Sequence, residues 1–236
     1  RFVLVSSDKA SAPKSVMGAT KRLAELLTLV AAGPLFRPLA VRFGNVLGSS
    51  GSLVSVALDH IRRGRPVDIT DPDSERFFMS AGEAASLVMI ADRIGGSGEI
   101  YWLDMGSPVR IGHLVERLME WAEANGLPRV PVRLIGLRPG EKLREELCGQ
   151  ELELRRTIHQ RIFAARQPAV DRAALVRVVR ELREDVRHGD AQSALANLCT
   201  AVPEFTPSTE ACRLAARAKW ESTRAPASSR RYALAG

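Results

Sequence analysis

Hydrophobic residues fall along this chain in two rhythms: short unbroken runs, and longer stretches with apolar positions three and four apart. The runs predict strands at residues 1–5, 37–43, 67–70, 99–103 and 130–135, with another short strand beginning at Arg161. The first of them, Arg-Phe-Val-Leu-Val, does not alternate, which suits a parallel strand covered on both faces. The helical rhythm begins at Met17, with an apolar face that includes Leu23, Leu26, Leu27 and Val30. It returns at 53–63, from Ser80 to about Ile94, and at 111–125, 171–188 and 190–200.

Punctuation residues sharpen these limits. Ser15 is a candidate N-cap for the first helix, and Gly33-Pro34 closes it. Ser80 with Glu83 forms a capping box, and Gly126 with Pro128 ends the 111–125 helix. A Pro-Gly loop at 136–143 opens a short helix predicted through Leu147. From Ser208 the periodicity fades into Ala, Ser, Pro and Arg, which predicts a disordered or loosely helical basic tail over 208–236.

Strands alternating with helices predict an α/β fold, the second half of a doubly wound, Rossmann-like parallel sheet with a small C-terminal substrate-binding region. Residues 1–52 would be the C-terminal half of the Rossmann-like domain and carry the catalytic motifs. Residues 53–207 would supply the remaining sheet, the substrate-binding elements and the helices. Arg1 already falls inside a strand, so a preceding half of the sheet, with its cofactor phosphate loop, is expected. No Gly-x-Gly-x-x-Gly occurs in the chain, neither around Gly44 and Gly48 nor at Gly95-Gly96-Ser97-Gly98.

Composition narrows the function classes. The 236 residues are 45% hydrophobic, as in ordinary globular domains. No apolar run approaches the roughly eighteen residues of a membrane span, and no basic-then-apolar leader opens the chain. The net charge of +7 gathers at the end, where six basic and two acidic residues follow residue 207. The body is close to balanced, so no nucleic-acid partner is indicated. Cys148, Cys199 and Cys212 lack Cys-x-x-Cys spacing, and the four histidines are scattered. Neither a disulfide framework nor a metal site is expected, and a reducing cytoplasm is the default compartment.

The candidate chemistry sits where the first strand ends, in Ser6-Ser7-Asp8-Lys9: two hydroxyls, an acid and a base. Open α/β sheets bind ligands at such carboxyl ends. Met17 and Lys21 share one helix face, one turn apart, so Lys21 can point back toward that polar end. The second strand delivers Arg42-Phe43-Gly44-Asn45-Val46-Leu47-Gly48, whose glycines let backbone approach a ligand.

In this order the stretches resemble the extended short-chain dehydrogenases of the CapD type, which are polysaccharide-biosynthesis nucleotide-sugar 4,6-dehydratases. The likeness rests on Ser7-Asp8-Lys9, Met17 to Arg22, Arg42 to Gly48, residues 73–79, Leu103-Asp104-Met105-Gly106 and residues 136–147. It covers roughly residues 1–207. Met17 stands where most short-chain dehydrogenases carry the tyrosine of Tyr-x-x-x-Lys, as it does in the large CapD-like members. Asp71 departs from the pattern, which has histidine there.

The resemblance implies a substrate such as UDP-N-acetylglucosamine, losing water across C5 and C6, and a cofactor, NADP or NAD, regenerated within each turnover. Lys21 would hold the nicotinamide ribose, and Ser7 would hydrogen-bond the C4 oxygen. Lys9 would remove the C5 proton and Asp8 would protonate the departing C6 hydroxyl, an acid and a base in opposite protonation states. Met17 would offer only shape and apolarity, so Asp8, or Ser7 through a water, would accept the C4 hydroxyl proton. Asn45 and Arg138 would meet the diphosphate, Glu141 the uridine ribose and Arg76 the nucleotide. Against these roles stand plainer ones: a surface Asp8–Lys9 ion pair, a helix-start acid at Glu141, and an arginine covering apolar surface at Arg76. The family also implies a homo-oligomer in the full-length parent and allows it an anchor at the inner face of the bacterial membrane. Two rival functions are a nucleotide-sugar 4-epimerase, which needs no acid and base at C5 and C6, and a non-catalytic nucleotide-sugar binding module.

Overall fold

A computed structural model describes residues 1–49, 51–145, 154–166 and 169–224. The chain begins β1 (Phe2–Val5), a single 3-10 turn (Asp8–Ala10), α1 (Val16–Val30), β2 (Pro38–Arg42), β3 (Asn45–Leu47), α2 (Leu53–Arg62) and β4 (Val67–Ile69). It continues with β5 (Glu75–Arg76), β6 (Phe78–Ser80), α3 (Ala81–Ile94), β7 (Glu99–Leu103), β8 (Val109–Arg110) and α4 (Ile111–Ala124). Then follow β9 (Val132–Leu134), β10 (Arg155–Arg156), β11 (Ile162–Arg166), α5 (Arg172–His188), α6 (Ala191–Ala201) and α7 (Thr209–Arg224). Local chemistry sets the helix starts: Ser15 Oγ accepts from the Gly18 N–H, and Ser80 Oγ accepts from Glu83.

The main sheet has the order β1-β2-β7-β11-β10. Its first three strands are parallel, whereas β11 and β10 join antiparallel. The register pairs Val5 with Val41 and Val41 with Tyr101, so the carboxyl ends of β1, β2 and β7 come together. Successive residues of β2 face opposite layers. Leu39 and Val41 pack with Ala84, Leu87 and Ala91 of α3, while Ala40 joins Leu29 of α1. Both faces are therefore covered, and every β2 residue is buried. β1 is less covered than its composition predicts. It is one of the two edge strands of this sheet among the described residues, and Phe2 and Val5 are exposed.

Two further cores flank the sheet. Leu23 and Leu26 of α1 meet Leu175 and Val178 of α5 and Leu198 of α6. A small lobe packs Ala57 and Ile61 of α2 against Val115 and Met119 of α4, over Val67 and Ile69 of β4.

One local expectation needs correction. Glu141–Glu145 are not helical; Gly140, at φ +78°, breaks the chain direction, and Arg144 bridges to Glu75. The rest of that expected helix, including Leu147, lies outside the described residues. Of the two alternatives for the 208–236 tail, the helical one describes Thr209–Arg224, which form α7; residues 225–236 lie outside the described residues. The Ala, Leu, Glu and Arg of α7 favour helix, Ser208 Oγ accepts from the Ala211 N–H, and Ala215 is buried. Among the described residues no helix is long and apolar enough to cross a membrane, and no His, Cys, Asp and Glu cluster could hold a metal.

Beneath the strand ends lies a charge network centred on the fully buried Glu25. Glu25 accepts from Ser6 Oγ at 2.5 Å, from Arg42 Nε and Nη2 at 2.7 and 2.5 Å, and from Arg22 Nη1 at 3.1 Å. Arg42 also stacks on Trp102, 4.7 Å from the ring centroid, and Arg22 donates to Glu204. Removing one partner of such a buried network strands the others without a counter-charge. Glu25→Ala is expected to lower unfolding free energy by about 3–5 kcal/mol, measured by chemical denaturation. A loss below about 1 kcal/mol, the level of an exposed pair, would contradict this account of the network.

Candidate active site

The chain leaves β1 through a tightly held corner. Ser6 N–H donates to Val41 O at 2.8 Å and Asp8 N–H to Phe43 O at 3.1 Å, so the corner continues the β1–β2 pairing. Ser7 Oγ accepts from the Lys9 N–H and donates to Asp8 Oδ1 at 2.9 Å. Two glycines let other segments close on this corner. A Cβ at Gly18 would lie 2.3 Å from the Lys9 carbonyl oxygen, so only glycine lets α1 start so near. A Cβ at Gly140 would lie 2.4 Å from the Lys14 oxygen, which sets the Pro-Gly loop against the amino end of α1. Lys142 Nζ fastens that loop by donating to Ser11 O at 3.1 Å.

A cleft of about 990 Å³ opens between this corner, β3, α2, β4 and the 135–145 loop. Lys9, Met17, Asn45, Arg76, Arg138 and Glu141 all line it, so the structure brings together six of the residues singled out in the sequence. Ser7, Asp8 and Lys21 do not line it: Asp8 is buried next to Lys9, and Lys21 is exposed one turn beyond Met17 on α1. The lining has five Lys or Arg side chains (Lys9, Lys14, Arg76, Arg138, Lys142) against three acids (Asp68, Glu141, Glu145), a balance that suits an anionic ligand.

Lys9 Nζ lies 2.9 Å from Asp8 Oδ1, yet this is not a surface ion pair: the Asp8 side chain is 1% exposed. Asp8 Oδ2 is buried without a hydrogen bond, beside Gly44. Arg76 and Glu141 are engaged with each other rather than free. Arg76 Nη2 donates to Glu141 Oε1 at 2.9 Å and Nη1 to Leu143 O at 3.1 Å. Glu141 also accepts from Thr70 Oγ1 at 3.0 Å and from the Arg138 N–H at 3.1 Å. The acid that sequence reasoning placed at a helix start instead folds the loop back on itself. Arg138 keeps an exposed guanidinium at the cleft.

Sequence reasoning missed Glu145, a cleft-lining carboxyl whose Oε2 is buried without a hydrogen bond. Burial pushes its acidity down and its pKa up; nearby Asp8 reinforces the rise, and Lys9, Arg76 and Lys142 oppose it. Its only sequence signal is a second acid after the loop, in Arg144-Glu145.

Comparisons with known proteins agree with this architecture. A family model described as polysaccharide biosynthesis protein matches residues 1–167. The probable polysaccharide biosynthesis protein EpsC of Bacillus subtilis (strain 168) is 40% identical over 185 residues, 78% of this chain and 31% of its own. The capsular polysaccharide biosynthesis protein CapD of Staphylococcus aureus is 39% identical over 165 residues, 69% of this chain and 27% of its own. A UDP-glucose 4-epimerase of Rickettsia canadensis is 32% identical over 64% of this chain and 44% of its own. Among solved structures, Pen from Bacillus thuringiensis superposes with a TM-score of 0.64 at 32% identity, covering 70% of this chain and 52% of that one. The chain thus spans about a third of the length of the polysaccharide-biosynthesis relatives it matches. By the match of that family model over residues 1–167, this chain belongs to the CapD-like polysaccharide biosynthesis protein family.

Proposed function

We propose that this chain supplies the acid–base and substrate-binding half of a nucleotide-sugar 4,6-dehydratase acting on UDP-N-acetylglucosamine or a close relative. The observation that carries the reading is the Asp8–Lys9 pair, a buried acid 2.9 Å from a base that reaches the wall of a cationic cleft. Lys21 suits a nicotinamide ribose by its chemistry, an exposed ammonium on α1 with three donors and no ion pair among the described residues. The cofactor, NADP or NAD, would supply the acceptor for the C4 hydride and its return to C6.

The protons follow from the residues on this chain. Met17 is a thioether and cannot take the C4 hydroxyl proton, so Asp8 takes it as its carboxylate. The Lys9 amine removes the C5 proton, which the C4 ketone has made acidic. The C5–C6 double bond forms, the C6–O bond breaks, and Asp8 passes its proton to the departing oxygen, which leaves as water. Lys9 returns a proton to C5 when C6 has been reduced, and both groups regain their starting states. Ser7, bound to Asp8 here, would turn its hydroxyl to the C4 oxygen. Asn45, with Arg138, would hold the diphosphate, and Glu141, steadied by Arg76 and Thr70, would accept the ribose hydroxyls.

A 4-epimerase is the second reading, favoured by the 32% identity to the Rickettsia enzyme. That reaction needs only oxidation and reduction at C4, and leaves the Asp8–Lys9 pair without a task at C5 and C6.

In the full-length protein, Lys9→Ala is expected to slow dehydration by about 10²–10⁴-fold and to stop solvent-deuterium exchange at C5, with nucleotide-sugar binding preserved. Lys21→Ala is expected to block C4 oxidation itself. Met17→Leu, nearly equal in volume, should cost little rate. Normal C5 exchange in Lys9→Ala would remove Lys9 from the base role and leave a merely structural ion pair.

A further inference from the structure

The cluster at the back of the cleft holds one more carboxyl than its cations pair closely. Lys9 Nζ is 2.9 Å from Asp8 but 3.9 Å from Glu145. Arg76 is 2.9 Å from Glu141 but 4.0 Å from Glu145. Charge-assisted hydrogen bonds run at about 2.7–2.9 Å, so each cation already has a nearer acid. Lys142 directs its ammonium to the Ser11 carbonyl. Glu145 is left over, with a side chain 4% exposed and an Oε2 that has no hydrogen bond. A buried carboxylate without a close counter-charge is strongly disfavoured, and one proton removes the charge.

We propose that Glu145 is a positioning residue that acts through Lys9: held as an uncharged acid, it leaves Asp8 as the sole counter-ion of the amine. This rests on the dehydratase reading above. In that cycle Asp8 becomes neutral once it holds the C4 proton. With Glu145 neutral as well, no carboxylate holds the Lys9 nitrogen in its charged form, and the amine, having released its extra proton to solvent through the cleft before C4 is oxidised, is free to take the C5 proton. An ionised Glu145 would keep the ammonium charged and idle. The groups facing Glu145 are Lys9, Asp8, Arg76 and Lys142, and burial outweighs them in raising its pKa.

The test compares the full-length wild type with Glu145→Gln, which keeps the shape and is neutral at every pH, and with Glu145→Met as a second neutral side chain. Solvent-deuterium exchange at C5 is followed against pH. The wild type should lose exchange as pH rises through the elevated Glu145 value. The neutral variants should lack that fall and stay well within the roughly 10²-fold loss that removal of an acid–base group brings. Stability gives a readout independent of turnover. The folded chain favours the protonated form, so wild-type stability should decline above the ordinary glutamate value until pH passes the folded one, and the neutral variants should not share that decline. Infrared spectra followed against pH should show a protonated-carboxyl band in the wild type that persists above the ordinary glutamate range and that Glu145→Gln lacks. An unchanged pH profile in both variants, no such band, or variants inactive at every pH would overturn the proposal. Absence of C5 exchange in the wild type would instead bring down the dehydratase reading, and with it the role through Lys9, while the band still reports the uncharged acid.

Discussion

Glu25 has no exposed surface, and its two oxygens accept four hydrogen bonds from three side chains on different elements. Ser6 sits at the end of β1, Arg42 at the end of β2, and Arg22 one turn before Glu25 on α1. A buried carboxylate tolerates such a place only when nearly every lone pair is met by a donor, and two of these donors are guanidinium groups. The sheet ends and the helix are therefore fixed to one another at a point just below the Asp8–Lys9 corner. Arg42 extends the tie by donating to the Ala10 carbonyl at 3.3 Å, at the close of the 3-10 turn that carries Lys9.

The cleft inherits its geometry from that tie. With α1 held at the strand ends, glycine at position 18 permits the close start of the helix, and glycine at 140 permits the loop to close over it. The loop then carries Arg138, Glu141 and Glu145 to the same cavity as Lys9. A paired acid and base, an excess buried acid and a cationic entrance thus meet through backbone approaches that larger residues would block.

Much of this frame was legible in the sequence. The unalternating runs became β2 and β7, and the caps at Ser15 and Ser80 start α1 and α3. What was not legible depends on distant partners. β3, β5, β6 and β8 have two or three residues each, too few to show a period, and exist through pairing across the chain. Arg22 and Glu25, charged residues of α1, are buried because Arg42 and Glu204 arrive from elsewhere to pair with them. For the site, the motif residues converge on one cleft, but the Arg76–Glu141 clasp and the burial of Glu145 follow from loop packing that spacing does not encode. The antiparallel addition of β11 and β10 was likewise invisible, because strand direction is set by the connection rather than by composition.

The central claim is that the Asp8–Lys9 corner performs chemistry at C5 and C6 and not at C4 alone. Its most direct test is the fate of label in the product. The full-length protein is incubated with UDP-N-acetylglucosamine and nicotinamide cofactor in deuterated water, and the sugar is examined by NMR. The account predicts a 4-keto-6-deoxy sugar with one solvent deuterium at C5 and the former C4 hydrogen at C6. A 4-epimerised sugar that keeps its C6 hydroxyl and carries no deuterium at C5 would contradict it.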